Sequence, residues 1–154
     1  MSGRPILLFA YGNPSRGDDA LGPSLGDRME ARQRRGELSE VEVLTDFQLQ
    51  VEHALDLEER ELVVFADAAA AGPAPFALTP VVPRRDLSHT THAMSPGAVM
   101  RVFQQMTRRG PPPAWLLAIR GYAFGLGRPV SPAGRRNLDA AEARLLEFLR
   151  EALR

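Results

Sequence analysis

The sequence predicts an α/β fold, a three-layer sandwich in which a mostly parallel twisted sheet of about five strands is flanked by helices. Three observations carry this. Apolar segments alternate with helix-patterned ones along all 154 residues, the order that builds βαβ units. The segment Leu62-Val63-Val64-Phe65-Ala66 is apolar without alternation, as a parallel strand covered on both faces must be. The run Ile6–Tyr11 ends in Gly12-Asn13-Pro14 before helical patterning begins. That places the following residues at the carboxyl edge of the sheet, where open α/β folds put their sites.

Taken in order, the expected strands are Pro5–Tyr11, Val41–Thr45, Glu61–Asp67, Ala77–Val82 and Ala114–Tyr122. The expected helices are Leu21–Arg34, Val51–Glu59, Pro96–Thr107 and Pro132–Arg154. The last two open with the same chemistry: Ser95-Pro96 and Ser131-Pro132 each supply a serine cap and a proline at the first helical position. In the final helix Leu138, Ala141, Leu145, Leu149 and Ala152 recur at steps of three and four, the signature of a face packed on the sheet. In the second, Val51, Ala54 and Leu55 are expected to share the packed face. Arg108-Arg109-Gly110-Pro111-Pro112-Pro113 reads as a short stiff connector, so residues 1–154 form a single domain.

Composition narrows the function. Hydrophobic residues make up 44% and charged residues 25%, ordinary globular values, and the formal net charge is zero. No electrostatic case exists for nucleic acid or an anionic membrane. Every basic residue other than histidine is arginine. Cysteine is absent, which excludes disulfides, thiolate nucleophiles and thiolate metal sites together. The first apolar run is too short for a secretory or membrane-spanning segment, so a cytoplasmic location is expected.

The strand end delivers the adjacent acids Asp18 and Asp19. Gly12 and Gly17 have the spacing of a phosphate-cradling loop, but that motif goes on to lysine and Ser/Thr, where this chain has the two aspartates. Like charges at ~4 Å repel by ~1 kcal/mol even in water, so a polyphosphate is the wrong ligand. No G-x-G-x-x-G follows the strand, no G-x-S-x-G turn offers a serine nucleophile, and no H-E-x-x-H helix is present. The simpler reading of Asp18 and Asp19 is a helix-dipole pair worth 0.3–1 kcal/mol; their place at a strand end favours a site.

Two further places can carry chemistry. Asp67 is expected to end the third strand, on the same edge as Asp19, unless it merely caps a turn. His89 and His92 lie three apart in the loop before the capped helix, and imidazole serves both as metal ligand and as proton carrier. Gln48, Glu52 and His53 are placed to line a groove beside them or to face water. The sum is a sparse Asp/Asp/His constellation with oxygen and imidazole donors and room for an outside ligand.

These residues resemble a known family, the [NiFe]-hydrogenase maturation endopeptidases. The resemblance is carried by Gly12-Asn13 with Asp18-Asp19 and Gly22, by Asp67 after an apolar strand, and by His92 before Met94-Ser95-Pro96. It continues through Gln48–Leu55 and from Arg120-Gly121-Tyr122 to Ser131-Pro132, so it spans essentially the whole chain. It implies an enzyme that removes a C-terminal extension from the hydrogenase large-subunit precursor after nickel insertion. It also implies that Asp19, Asp67 and His92 ligate a metal, a nickel supplied by the substrate and not permanently bound. Gly12, Asn13, Asp18, Gln48, Glu52, His53 and His89 become substrate-binding candidates, with His89 the alternative ligand to His92, and either Asp18 or Asp19 a candidate base. The same ligands would also serve a non-catalytic nickel- or precursor-docking chaperone, although a cysteine-free, histidine-poor carrier holds nickel weakly. An α/β enzyme using the edge acids on a small molecule is the third reading. The chain departs from the family at Ala20, where glycine is usual; alanine is harmless there if the first helical turn has already begun.

Overall fold

The structure is a computed structural model that describes residues 4–85 and 94–154. Its strands are β1 (Ile6–Tyr11), β2 (Val41–Asp46), β3 (Leu62–Ala69), β4 (Phe76–Val81) and β5 (Ala114–Arg120). Its α-helices are α1 (Leu21–Arg34), α2 (Pro96–Thr107) and α3 (Pro132–Ala152), with shorter 3-10 segments at Gly17–Ala20 and Val51–Leu57. The strands form one sheet in the order β2-β1-β3-β5-β4. All neighbours pair in parallel except β4, which runs antiparallel to β5 at the sheet's edge. Pro80 lies in that edge strand, where a missing N–H costs least.

Each central strand feeds two cores. Ile6, Leu8 and Ala10 of β1 pack with Val64 and Ala66 of β3 against Leu21, Leu25 and Met29 of α1 and Leu138, Leu145 and Leu149 of α3. Leu7, Phe9 and Tyr11 point the other way, with Val63 and Phe65, toward Leu49, Leu57, Val99 and Phe103. Burial of each such leucine contributes on the order of 1.5–3 kcal/mol. This two-sided burial explains why β1 and β3 read as unbroken apolar runs. The serine caps form as expected: Ser95 accepts from the Ala98 N–H at 3.1 Å and Ser131 from the Gly134 N–H at 3.0 Å.

Two expectations are corrected. The second helix is not an α-helix through Glu59 but a 3-10 segment ending at Leu57, after which Glu58 is extended and Glu59 takes φ 63°. Ala54 and Leu57, three residues apart, are buried and Leu55 is turned outward at 58% exposure, while Val51, on the same three-residue row as Ala54, is exposed at 56% as the segment's first residue. Asp67 does not end its strand; β3 continues to Ala69, because β5 keeps pairing with it through Ala69↔Arg120.

The chain passes from β1 to β2 on one side and returns past β1 to β3, so the strand order reverses at β1. The crevice beyond the carboxyl ends of β1 and β3 is therefore the sheet's topological switch point. Among the described residues no helix is long and apolar enough to cross a membrane.

Candidate active site

Glycine shapes the turn that leaves β1. Gly12 has φ 148°, and a Cβ there would lie 2.1 Å from the Asp19 carbonyl oxygen. Only glycine lets the strand end and the Asp19 backbone meet this closely. The approach brings the Asn13 N–H to the Asp19 Oδ2 at 2.7 Å, while the Asn13 Oδ1 accepts from the Ser15 N–H at 2.9 Å. Asp19 is half-buried at the crevice mouth. Ala20 has φ −73° and ψ −7°, already right-handed helical, so the departure from the family's glycine carries no strain.

Asp18 points elsewhere. It is 0% exposed and accepts four hydrogen bonds: from the Tyr122 and Ala123 N–H groups at 2.7 and 3.1 Å, and from the Ser131 N–H and hydroxyl, both at 2.7 Å. Burial alone would raise its pKa. The Ser131, Tyr122 and Ala123 donors outweigh that and hold it below the ordinary carboxylate value. Gly121 and Gly134 close the pocket, since a Cβ on either would lie within 2.8 Å of an Asp18 atom. Asp18, expected among the substrate-binding candidates and as a candidate base, is thus withdrawn from the crevice. It ties residues 121–131 and the start of α3 to the strand end.

Asp67 has the opposite environment. The register Ala10↔Ala66 sets Tyr11 beside Asp67 on the same face of the sheet. Burial and the negative charge of Asp19 push the Asp67 pKa up to about 7, against the lowering effect of the Ala68 N–H and Tyr11. Two of the three expected ligands are thereby brought into electrostatic contact. His92 and its alternative His89 lie outside the described residues, and among the described residues no group of three or more His, Asp or Glu is placed to hold a metal.

Asp19 opens onto a cleft of about 440 Å³ lined by Asn13, Arg16, Asp46, Phe47, Gln48 and Gln50. Gln48 and Asn13 line this cleft; Glu52 is exposed and outside its lining. His53 is buried and acts indirectly. Its Nδ1 accepts the Gln50 N–H at 2.8 Å, which leaves the proton on Nε2, 3.2 Å from the Asp46 Oδ2. The Phe47 N–H donates to the other Asp46 oxygen at 2.6 Å. Asp46 is thus a third carboxylate at this edge, hidden in the sequence as the ordinary end of a strand. Tyr11 was equally hidden, because an aromatic closing an apolar run looks like core. A larger groove of about 510 Å³ runs between the end of β4 and the start of α2, lined by Val81, Arg84, Arg85, Pro96 and Leu116, and contains none of these acids.

No family model matches the sequence, and no curated protein matches it. Solved structures do. The [NiFe] hydrogenase maturation protease HycI from Thermococcus kodakarensis KOD1 superposes with a TM-score of 0.72 at 21% identity, over 97% of this chain and 95% of that one. The hydrogenase maturating endopeptidase HybD from E. coli gives 0.72 at 20% identity, over 96% and 93%. An endopeptidase from Escherichia coli gives 0.73 at 18% identity, over 96% and 93%. The chain has their fold. The α/β sandwich implied by the motif resemblance is the architecture observed, and the likeness extends from end to end.

Proposed function

We propose that this protein is a hydrogenase maturation endopeptidase, which removes a C-terminal extension from a [NiFe]-hydrogenase large-subunit precursor once nickel is in place. The observation that carries the reading is the Asp19–Asp67 pair at the switch point of a fold shared with such proteases. A buried carboxylate whose proton affinity is raised by a neighbouring carboxylate is poised for a cation: an ion docking between the two turns their repulsion into attraction. The precursor's nickel is that cation in this reading, with His92 the third ligand that the motif resemblance implies. A nickel-free precursor receives none of this stabilisation, so its scissile bond is not aligned in the cleft. The nickel polarises the scissile carbonyl, and a carboxylate takes the proton of the attacking water. Asp18 is excluded from that role by burial and by its four donors.

The test is intact-mass analysis of a precursor incubated with the protein, with and without nickel loaded. Loss of a C-terminal peptide from the nickel-loaded sample alone is expected. An unchanged mass in a demonstrated complex would return the protein to a docking chaperone.

A further inference from the structure

We propose that Phe47 is a substrate-contact residue: a braced apolar ridge on the rim of the Asp19 cleft that packs against an apolar side chain of the entering precursor segment. The inference rests on the protease reading above.

Packing of the fold does not account for Phe47. It follows β2 directly, is 64% exposed and belongs to neither core. A single exposed apolar side chain is ordinary; the place of this one is what matters. With Asp46 it lines both the cleft of about 440 Å³ that holds Asp19 and a second hollow of about 330 Å³, formed with Gly12, Pro14, Pro23 and Thr45. The Asp46–Phe47 step is therefore a wall common to two hollows at the strand end. Every other residue lining the Asp19 cleft is polar or charged, so among the described residues Phe47 is its one apolar side chain.

The backbone that carries the ring is pinned on both sides. The Asp46 carbonyl accepts the Gly12 N–H at 3.0 Å, and the Asp46 Oδ1 accepts the Phe47 N–H at 2.6 Å. The other carboxylate oxygen lies 3.2 Å from the Nε2 of His53. His53 is itself buried, its ring edge-on to Phe9 at 4.6 Å between centroids, and its Nδ1 takes the Gln50 N–H at 2.8 Å. Two residues beyond Phe47, Leu49 is fully buried and its carbonyl accepts the Met94 N–H at 3.1 Å. The ridge is thus fixed before any partner docks, and a group ordered in advance gives up little freedom on contact. A polypeptide that reaches Asp19 through this cleft lies along that wall.

The test compares wild type with Phe47→Ala on the nickel-loaded precursor for kcat, KM and Tm. Kd is measured with the nickel-free precursor, which the protease reading leaves uncleaved. The expected result is a KM and a Kd raised by about 10–30-fold, the size of a truncated aromatic anchor, with kcat within about twofold and Tm unchanged. A KM and Kd equal to wild type overturn the contact. So does a fall in kcat alone, or a loss that merely follows a lowered Tm. Sedimentation of both proteins without precursor covers the rival occupant: a wild-type dimer that Phe47→Ala turns into a monomer assigns the ridge to a second copy of this chain and overturns the proposal. A wild type that binds the precursor without cleaving it overturns the protease reading alone, and the Kd ratio then decides Phe47. A wild type that neither binds nor cleaves overturns both.

Discussion

Asp18 and Asp67 are both withdrawn from water, yet their proton affinities move in opposite directions. Asp18 accepts four hydrogen bonds and is held below the ordinary carboxylate value. Asp67 has fewer donors against its burial and the charge of Asp19, and rises to about 7. Burial penalises the charge in both. What decides the sign is the number of donors aimed at the carboxylate against the like charges nearby. One region is a knot that stabilises the fold in its charged form. The other is left short of positive charge, and that shortage is what a cation can fill.

Asp18→Ala is expected to give the largest effect. It leaves three backbone N–H groups and the Ser131 hydroxyl without their acceptor, and each buried donor left unsatisfied costs about 1–3 kcal/mol. Urea unfolding should show that loss. The pH dependence has a definite sign: with the folded pKa lowered, the contribution is present above the unfolded value of 3.8 and lost as pH falls through the folded one. A variant as stable as wild type would mean that the knot carries no weight.

Asp67→Asn should act in reverse. Between 3.8 and about 7 the folded state holds a proton that the unfolded state has lost, so wild-type stability declines as pH rises through that window. At 1.36 kcal/mol per unit the decline is at most about 4 kcal/mol, and partial solvent access lowers it. Asparagine is nearly the same size and carries no charge, so the variant is expected to unfold at higher denaturant than wild type at pH 8, by about 1–3 kcal/mol, and to match it near pH 4. Processing of the nickel-loaded precursor should fall about 100-fold or more. A variant that is less stable at pH 8 would break the contrast with Asp18.

How much of this was legible in the sequence follows the same division. The fold was readable because β1 and β3 are buried on both faces, and serine-proline pairs mark two helix starts. Asp19 and Asp67 were readable as acids at one sheet edge. The separate fates of Asp18 and Asp19 were not, because adjacent residues on a tight 3-10 turn point apart, and the donors that claim Asp18 lie more than 100 positions away at Tyr122, Ala123 and Ser131. Leu55 was misplaced because a 3.6-residue period was assumed where the segment winds at three, and Val51 because it stands at the segment's exposed first position. His53 and Asp46 meet only through that same turn, and Tyr11 meets Asp67 only through the β1–β3 register.

The smallest expected effect concerns the hinge between the two regions. Ala20 follows both acids directly, and its φ of −73° and ψ of −7° are right-handed helical, so nothing there requires glycine. Ala20→Gly restores the residue usual in the family that the chain resembles. It widens the unfolded chain's freedom at a position whose native angles alanine already satisfies. The expected cost is about 0.5–1 kcal/mol, read as a modest drop in the urea midpoint, with processing unchanged. If glycine instead stabilised the protein, the strand-end turn would have to hold strain that these angles do not show. If processing changed while stability held, Ala20 would be tuning the position of Asp19, and the knot at Asp18 and the cleft at Asp19 would be mechanically coupled through one residue.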